Sequence, residues 1–253
     1  MLSQLIDYKP NMQRILAFII LSSLSLIANA LPQGFVYLSD LAPSIIQDLR
    51  YTTGNNFIGH PIPGYKASRC ILTVAAATQL AKIQKAANKM GYSLKVYDCY
   101  RPQRAVNAFY QWSQNPYDNR MKAFFYPRED KKNLFAKGYI AEHSGHTRGS
   151  TVDLTLVKIG ATYRHSKSIT SLCFGKTPHY RNDDSIDTGT RFDCMDVSAN
   201  VFYPDLSQQQ KANRLLLRHL MLANGFKPYP QEWWHFTLRN EPYPKTYFDF
   251  PVS

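Results

Sequence analysis

The chain has 253 residues, 44% of them hydrophobic and 13% aromatic, with 30 Lys and Arg against 18 Asp and Glu, for a formal net charge of +12 at pH 7. This length supports one sizeable core, and no repeat, Gly/Ser linker or low-complexity tract divides it. No segment reaches the ~20 apolar residues of a membrane-spanning helix. The basic balance admits nucleic acid as a partner, but a chain bearing an export signal rarely meets it, which leaves a solvated basic surface or attraction to an anionic cell envelope.

Lys9 and Arg14 precede an apolar run from Ile15 to Ile27, and Ala28-Asn29-Ala30 follows before Leu31-Pro32. This is the pattern of a secretory signal peptide. The expectation is a signal peptide over residues 1–30, a single domain over 31–253 and a periplasmic or secreted location, with Met12 as an alternative start.

Four cysteines in an oxidising compartment can pair. Cys70 with Cys99 and Cys173 with Cys194 is preferred of the three pairings because it closes two local loops; four free thiols are the other reading. The absence of C-x-x-C argues against a thiolate zinc site.

Ile71 to Met90 repeats Leu72, Ala75, Ala76, Leu80, Ile83 and Ala87 at helical spacing, with Gly91 as the stop. Ser93 to Asp98 alternates as a half-buried strand, and Asp98 and Arg101 lie at its exit. Pro102 opens a helix whose stripe is Ala105, Val106, Phe109 and Trp112. Residues 115–140 read as loop with broken helical pieces. In Thr151 to Val157, Val152, Leu154 and Leu156 face one way, and Asp153 shares the other face with Thr151 and Thr155. A carboxylate among hydroxyls on a strand suits a site better than a core.

Lys158 to Thr190 reads as a long excursion over or beside that site. Ser207 caps a helix with the stripe Ala212, Leu215, Leu216, His219, Leu220 and Leu222, ending at Asn224-Gly225. Trp233 to Leu238 is a strand. Helices and strands interleave without regular βαβ repetition, so the fold class is α+β, a small mixed or antiparallel sheet flanked by helices.

Ser144 to Asp153 and Glu232-Trp233-Trp234-His235 carry the chemistry. His146, Asp153, Glu232 and His235 supply two imidazoles, one carboxylate to complete a metal site and a second carboxylate beside it. A catalytic zinc takes three such ligands and keeps a fourth position for water, whose proton a spare carboxylate can move. Two His and one carboxylate also make the facial triad of iron(II) oxygenases, although the short H-x-D spacing is missing and the spare carboxylate has no task there. On a regular strand Glu232 and His235 face opposite sides. For both to reach one metal, the chain must turn or bulge between Pro230 and Trp234. His143 forms an H-x-x-H with His146, while His60, His165, His179 and His219 have no motif around them and read as surface or packing residues. Without context, Trp233 and Trp234 are aromatic core, and Arg101 and Glu232 are solvated charges.

Together with Asp98-Cys99-Tyr100-Arg101-Pro102, Tyr51 to Phe57 and the tail Glu241 to Pro251, these segments resemble the zinc D-alanyl-D-alanine dipeptidases related to VanX, of the Hedgehog/D,D-peptidase fold. The resemblance runs from about Tyr37 to the C-terminus. It implies one zinc per chain held by His146, Asp153 and His235, with Glu232 as general base and Arg101 over the scissile carbonyl. It further implies that Tyr51 and Asp193 hold the substrate's amino group, that Ser144 lies near its other end, and that Asp98 and Trp233 shape the pocket. The chain departs from the family pattern in the longer Lys158–Thr190 region and at Cys99, where a small residue is usual.

The implied activity is hydrolysis of D-Ala-D-Ala to two D-alanines in cell-wall peptide turnover or recycling, or in glycopeptide resistance, with the dipeptide as partner and no nucleic acid. The alternatives are a D,D-carboxypeptidase or endopeptidase acting on peptidoglycan stem peptides, a non-catalytic zinc module, and the oxygenase.

Overall fold

The computed structural model describes residues 31–161 and 169–253. The expected export segment and His165 lie outside the described residues. In chain order the elements are β1 Phe35–Tyr37, α1 Leu38–Leu41, β2 Ile46–Gln47, β3 Ile71–Thr73, α2 Val74–Lys89, β4 Tyr92–Asp98, α3 Gln103–Gln114, α4 Lys122–Phe125, α5 Lys131–Leu134, β5 Thr151–Lys158, α6 Gln208–Ala223, β6 Phe226–Tyr229 and β7 Glu232–Leu238. Among the described residues no helix is long and apolar enough to cross a membrane.

Five strands form a mixed sheet in the order β2-β4-β5-β7-β6, parallel only between β2 and β4; β1 and β3 pair separately as an antiparallel ribbon. The fold is the expected α+β. Helix α2 packs on β4 and α6 on β6 and β7, and the two helices touch. Leu80, Ile83 and Ala87 of α2 are fully buried, and burying a Leu or Ile side chain contributes about 1.5–3 kcal/mol.

The helix expected from Ile71 begins three residues later. Ile71 to Thr73 extend to pair with β1, and the Thr73 side chain accepts from Ala76 N as the N-cap. The α6 face also differs from the expected leucine stripe: Leu215 is 48% exposed, while Gln210, Asn213, Arg214, Leu217, Leu220 and Met221 are buried. Polar residues turn inward here because loop carbonyls need donors. Arg214 donates to the carbonyls of Thr188, Ser198 and Asn200, and Asn213 to that of Asp187.

Strand β4 is buried on both faces rather than half-buried. Lys95 has no exposed surface, because the excursion after β5 lays Asp183 against it at 2.9 Å. Arg50 bridges Asp48 and Asp183, each at 2.8 Å, and Tyr97 donates to Asp183 at 2.7 Å. Burial alone would raise the Asp183 carboxyl, but Lys95 and then Arg50 overcome it and hold it well below the usual carboxylate range. Removing one member of a buried ion cluster leaves the others uncompensated. Asp183→Ala should therefore cost about 3–5 kcal/mol in denaturant unfolding. Because the folded value is depressed, the wild-type contribution is fully present above the unfolded Asp value and is lost as pH falls below about 4. The variant should show a flatter acid limb in a stability–pH series.

Candidate active site

The sheet register sets three of the candidate residues side by side. Asp153 on β5 lies opposite His235 on β7. On β4 the pairing runs from Val96 with Leu154 to Asp98 with Asp153, so Tyr97 is an extra residue and a bulge brings Asp98, not Tyr97, onto the row. The bend required near Trp233 is present too. β6 pairs Pro228 with Phe236 but Tyr229 with Glu232, so three β7 residues intervene where a regular ladder has none. Glu232 Oε2 thereby comes within 3.6 Å of His235 Nδ1.

His146 arrives from a 3₁₀ turn, Gly145–Arg148, just before β5; Ser144 caps it by accepting from His146 N at 3.3 Å. Gly149 then reverses the chain at φ 79, where a Cβ would meet the Phe35 ring at 2.2 Å. No other residue fits that position. His146 Nδ1 lies 2.7 Å from the Cys99 carbonyl. A carbonyl only accepts, so the proton sits on Nδ1 and Nε2 presents its lone pair inward.

That lone pair meets Asp153 Oδ2 at 3.2 Å and His235 Nδ1 at 3.3 Å, and His235 Nδ1 lies 3.0 Å from Asp153 Oδ1. One ligand atom from each of the three residues falls within 4.8 Å of the others. Asp153 Oδ1 is buried without a hydrogen bond, a costly state unless a cation completes it. The convergence of electron pairs suits a metal ion with nitrogen and oxygen ligands. Burial holds the His235 imidazole below its ordinary value despite Asp153, which keeps it a neutral ligand.

Around this triad the charges are arranged with little freedom. Asp98 is fully buried; it accepts from Tyr65 OH at 2.7 Å and from Arg101 Nε at 2.9 Å, pairs with Arg101 Nη2 at 2.8 Å, and lies 3.4 Å from His146 Nδ1. Arg101 Nη2 is 3.7 Å from Asp153, and its guanidinium lies over the rings of Tyr51 and Phe109. Tyr51 OH donates to both oxygens of Asp193 at 3.2 and 3.0 Å. Burial pushes the Asp193 carboxyl well up, Asp153 adds to this, and Arg101 and Tyr51 oppose it. Glu232 is pushed up by burial and then by Asp153 and Asp193, against Arg101. Asp98, Asp153, Asp193 and Glu232 thus face one guanidinium, a surplus of negative charge that favours cations in the site.

Tyr51, Arg101, His146, Asp153, Asp193, Glu232 and His235 line one cavity of about 280 Å³, shared with Ser144 and His143, just below the ~300–1,000 Å³ of pockets that take drug-sized ligands. His143 stands apart from the triad, with its ring 4.7 Å from that of Tyr247. Trp233 does not reach the cavity. It is buried and donates to Thr190 Oγ1 at 2.7 Å, while Trp234 lines the wall. Asp98 shapes the pocket only through Arg101 and His146. Sequence reading did not single out Tyr65, the Cys99 carbonyl, or Tyr139 and Tyr229 at the cavity wall; only Tyr229, three residues before Glu232, had a positional cue.

The pairing is Cys70–Cys99 and Cys173–Cys194, so both Cys99, whose carbonyl meets His146, and Cys194, the neighbour of Asp193, are bonded.

Residues 32–164 and 172–253 match the family model Peptidase_M15, described as D-ala-D-ala dipeptidase. A D-alanyl-D-alanine dipeptidase of Enterococcus faecium is 37% identical over 220 residues, covering 87% of this chain and 98% of the relative. The protein of that name from Streptomyces coelicolor is 39% identical over 219 residues with the same coverage, and that from Escherichia coli is 28% identical over 206 residues, 80% of this chain and 83% of the relative. A buried His-Asp-His triad with a carboxylate beside it, inside a chain matched over nearly its whole described length, makes this protein a metallopeptidase belonging to the Peptidase_M15 family of D-Ala-D-Ala dipeptidases.

Proposed function

We propose that the protein is an exported zinc dipeptidase of one catalytic domain, residues 31–253, that cleaves free D-Ala-D-Ala to two D-alanines during cell-wall peptide turnover or recycling. The observation that carries this reading is the buried Asp193–Tyr51 pair in the same small cavity as the His-Asp-His triad. A carboxylate there suits a free ammonium group, and burying it unpaired is expensive. The space a preceding residue would occupy is the space this pair closes. The charged ends of a short, unblocked dipeptide fit such a pocket; a stem peptide does not.

His146, Asp153 and His235 would hold the ion. Zinc, when bound, polarises the scissile carbonyl and lowers the pKa of a coordinated water towards ~7. Glu232 accepts the proton of the attacking water and passes it to the leaving amine. Arg101, fixed by Asp98, faces the carbonyl oxygen as negative charge develops on it. Asp193 and Tyr51 receive the substrate ammonium, and Ser144 lies towards the carboxylate end. The export segment favours a periplasmic or secreted enzyme that recycles released dipeptide over one that depletes a cytoplasmic precursor.

Purified protein with zinc should hydrolyse D-Ala-D-Ala, lose that activity to a chelator, and leave N-acetyl-D-Ala-D-Ala and L-Ala-L-Ala almost untouched. No hydrolysis of the free dipeptide would sink the reading. Equal rates on the acetylated form would move it to a carboxypeptidase or endopeptidase acting on stem peptides.

A further inference from the structure

Asp193 is the one non-glycine residue with positive φ, at 60°, among the described residues. Asp tolerates this region better than most residues, but such a conformation persists only where the surroundings over-determine it. The surroundings here come from the excursion. Cys173 to Gly175 run antiparallel to Gly189 to Arg191: Arg191 N donates to Cys173 O at 2.7 Å, Gly175 N to Gly189 O at 3.1 Å, and Phe174 bridges Thr190. The Cys173–Cys194 bond closes this pair immediately beyond Asp193, and both cysteines are fully buried.

Arg191 adds a second clamp. Its guanidinium donates to the carbonyls of Ser171, Leu172, Tyr180 and Phe124 and to the Ser171 hydroxyl. No carboxylate takes part in these bonds, so its fork ties the excursion to the segment that carries Asp193 and to α4. On the sheet side, Phe192 stacks on Tyr97 with centroids 4.7 Å apart, and Met195 N donates to Phe125 O at 2.8 Å. The neighbours of Asp193, from Thr190 to Phe192 and at Cys194 and Met195, are therefore anchored independently of it, and its carboxylate is left to Tyr51 and the cavity.

We propose that the Cys173–Cys194 disulfide and Arg191 are positioning elements that hold Asp193 in its left-handed conformation, so that the braced excursion sets recognition of the substrate's free ammonium group without taking part in metal binding or bond cleavage. This rests on the dipeptidase reading given above. With Cys194 released, the backbone at Asp193 relaxes towards negative φ and the carboxylate turns away from Tyr51. Recognition of the amino end then weakens, while the triad and Glu232, carried by β5, β7 and the turn before β5, keep their places.

The test compares wild type with Cys173→Ser/Cys194→Ser, measuring zinc content, melting temperature, and kcat and KM on D-Ala-D-Ala and on N-acetyl-D-Ala-D-Ala. The expected result is about a tenfold or greater rise in KM for the free dipeptide with kcat within about threefold, the signature of lost binding rather than lost chemistry. Zinc content should stay at one per chain, and the preference for the free over the acetylated substrate should fall by the same factor. A lowered melting temperature with KM and preference unchanged overturns the proposal, because the bond then only stabilises. So does a fall in kcat with KM unchanged. Should the double variant not fold, Arg191→Lys, which keeps the charge but loses the fork, is read by the same split. If wild type itself shows no preference for the free dipeptide, the dipeptidase reading fails before any variant is compared; a wild-type preference that the variants retain counts against the positioning role alone.

Discussion

Glu232→Gln lowers kcat/KM on D-Ala-D-Ala by about 10²–10⁴, the usual range for a lost general base, and leaves the bound metal content unchanged. Glu232 approaches His235 Nδ1 at 3.6 Å but stands outside the set of three whose ligand atoms converge. Its amide replacement keeps the shape of the cavity wall while removing the ability to take a proton and the charge of the carboxylate. Metal analysis beside the kinetics separates the roles. Loss of metal together with activity would make Glu232 a ligand, and unchanged activity would leave the triad without its proton carrier. The variant also removes one of the carboxylates that crowd Arg101, so its stability should equal or exceed that of wild type.

How far the site could be read from the chain depended on whether a function resides in a side-chain type or in geometry. His146, Asp153, Glu232 and His235 are residue types that chemistry demands, and their segments stand out. Even the awkward parity of Glu232 and His235 was legible, because a period of two is strict enough to make the bend on β7 a necessity. The bulge at Tyr97 was not legible: nothing in Lys95-Val96-Tyr97-Asp98 marks which residue is extra, and the bulge decides that Asp98 joins the row. The carbonyl of Cys99, which sets the His146 tautomer, has no side-chain identity to read.

The same distinction applies to the fold. Long periodic segments such as α2, α3 and α6 announce themselves, whereas β1, β2 and β3 have two or three residues each and no period to detect. β6 contains Pro228 and survives as a strand because it lies at the sheet edge. Periodicity misled where polar residues are buried. Lys95 belongs to the strand expected to be half-buried and Arg214 lies off the expected leucine stripe of α6, yet each lies under the excursion or its continuation and is satisfied by Asp183 or by loop carbonyls. Covering one face of a sheet with a loop rather than a helix requires many such donors, since loop backbone has no ladder of its own.

Arg101→Ala should lower kcat by about 10²–10³, the typical loss for one donor aimed at a developing oxyanion, with the bound metal retained. In the proposed mechanism the guanidinium acts by being fixed before substrate arrives. A hydrogen bond from Nε and the ion-pair contact of Nη2 to one oxygen of Asp98, itself held by Tyr65, set its direction, and the faces of Tyr51 and Phe109 limit its movement. Truncation also strands Asp98 as a buried carboxylate whose own level burial already raises against the pull of Arg101, so some stability is lost with the activity and both must be measured. Arg101→Lys distinguishes charge from geometry: a lysine keeps the positive field but cannot place two donors in one plane. If that field is what lowers the barrier, the lysine enzyme recovers most of the rate. If the direction fixed by Asp98 is what matters, it stays near the alanine level, and Asp98→Asn, which leaves Arg101 in place but loosens its hold, lowers kcat in the same sense.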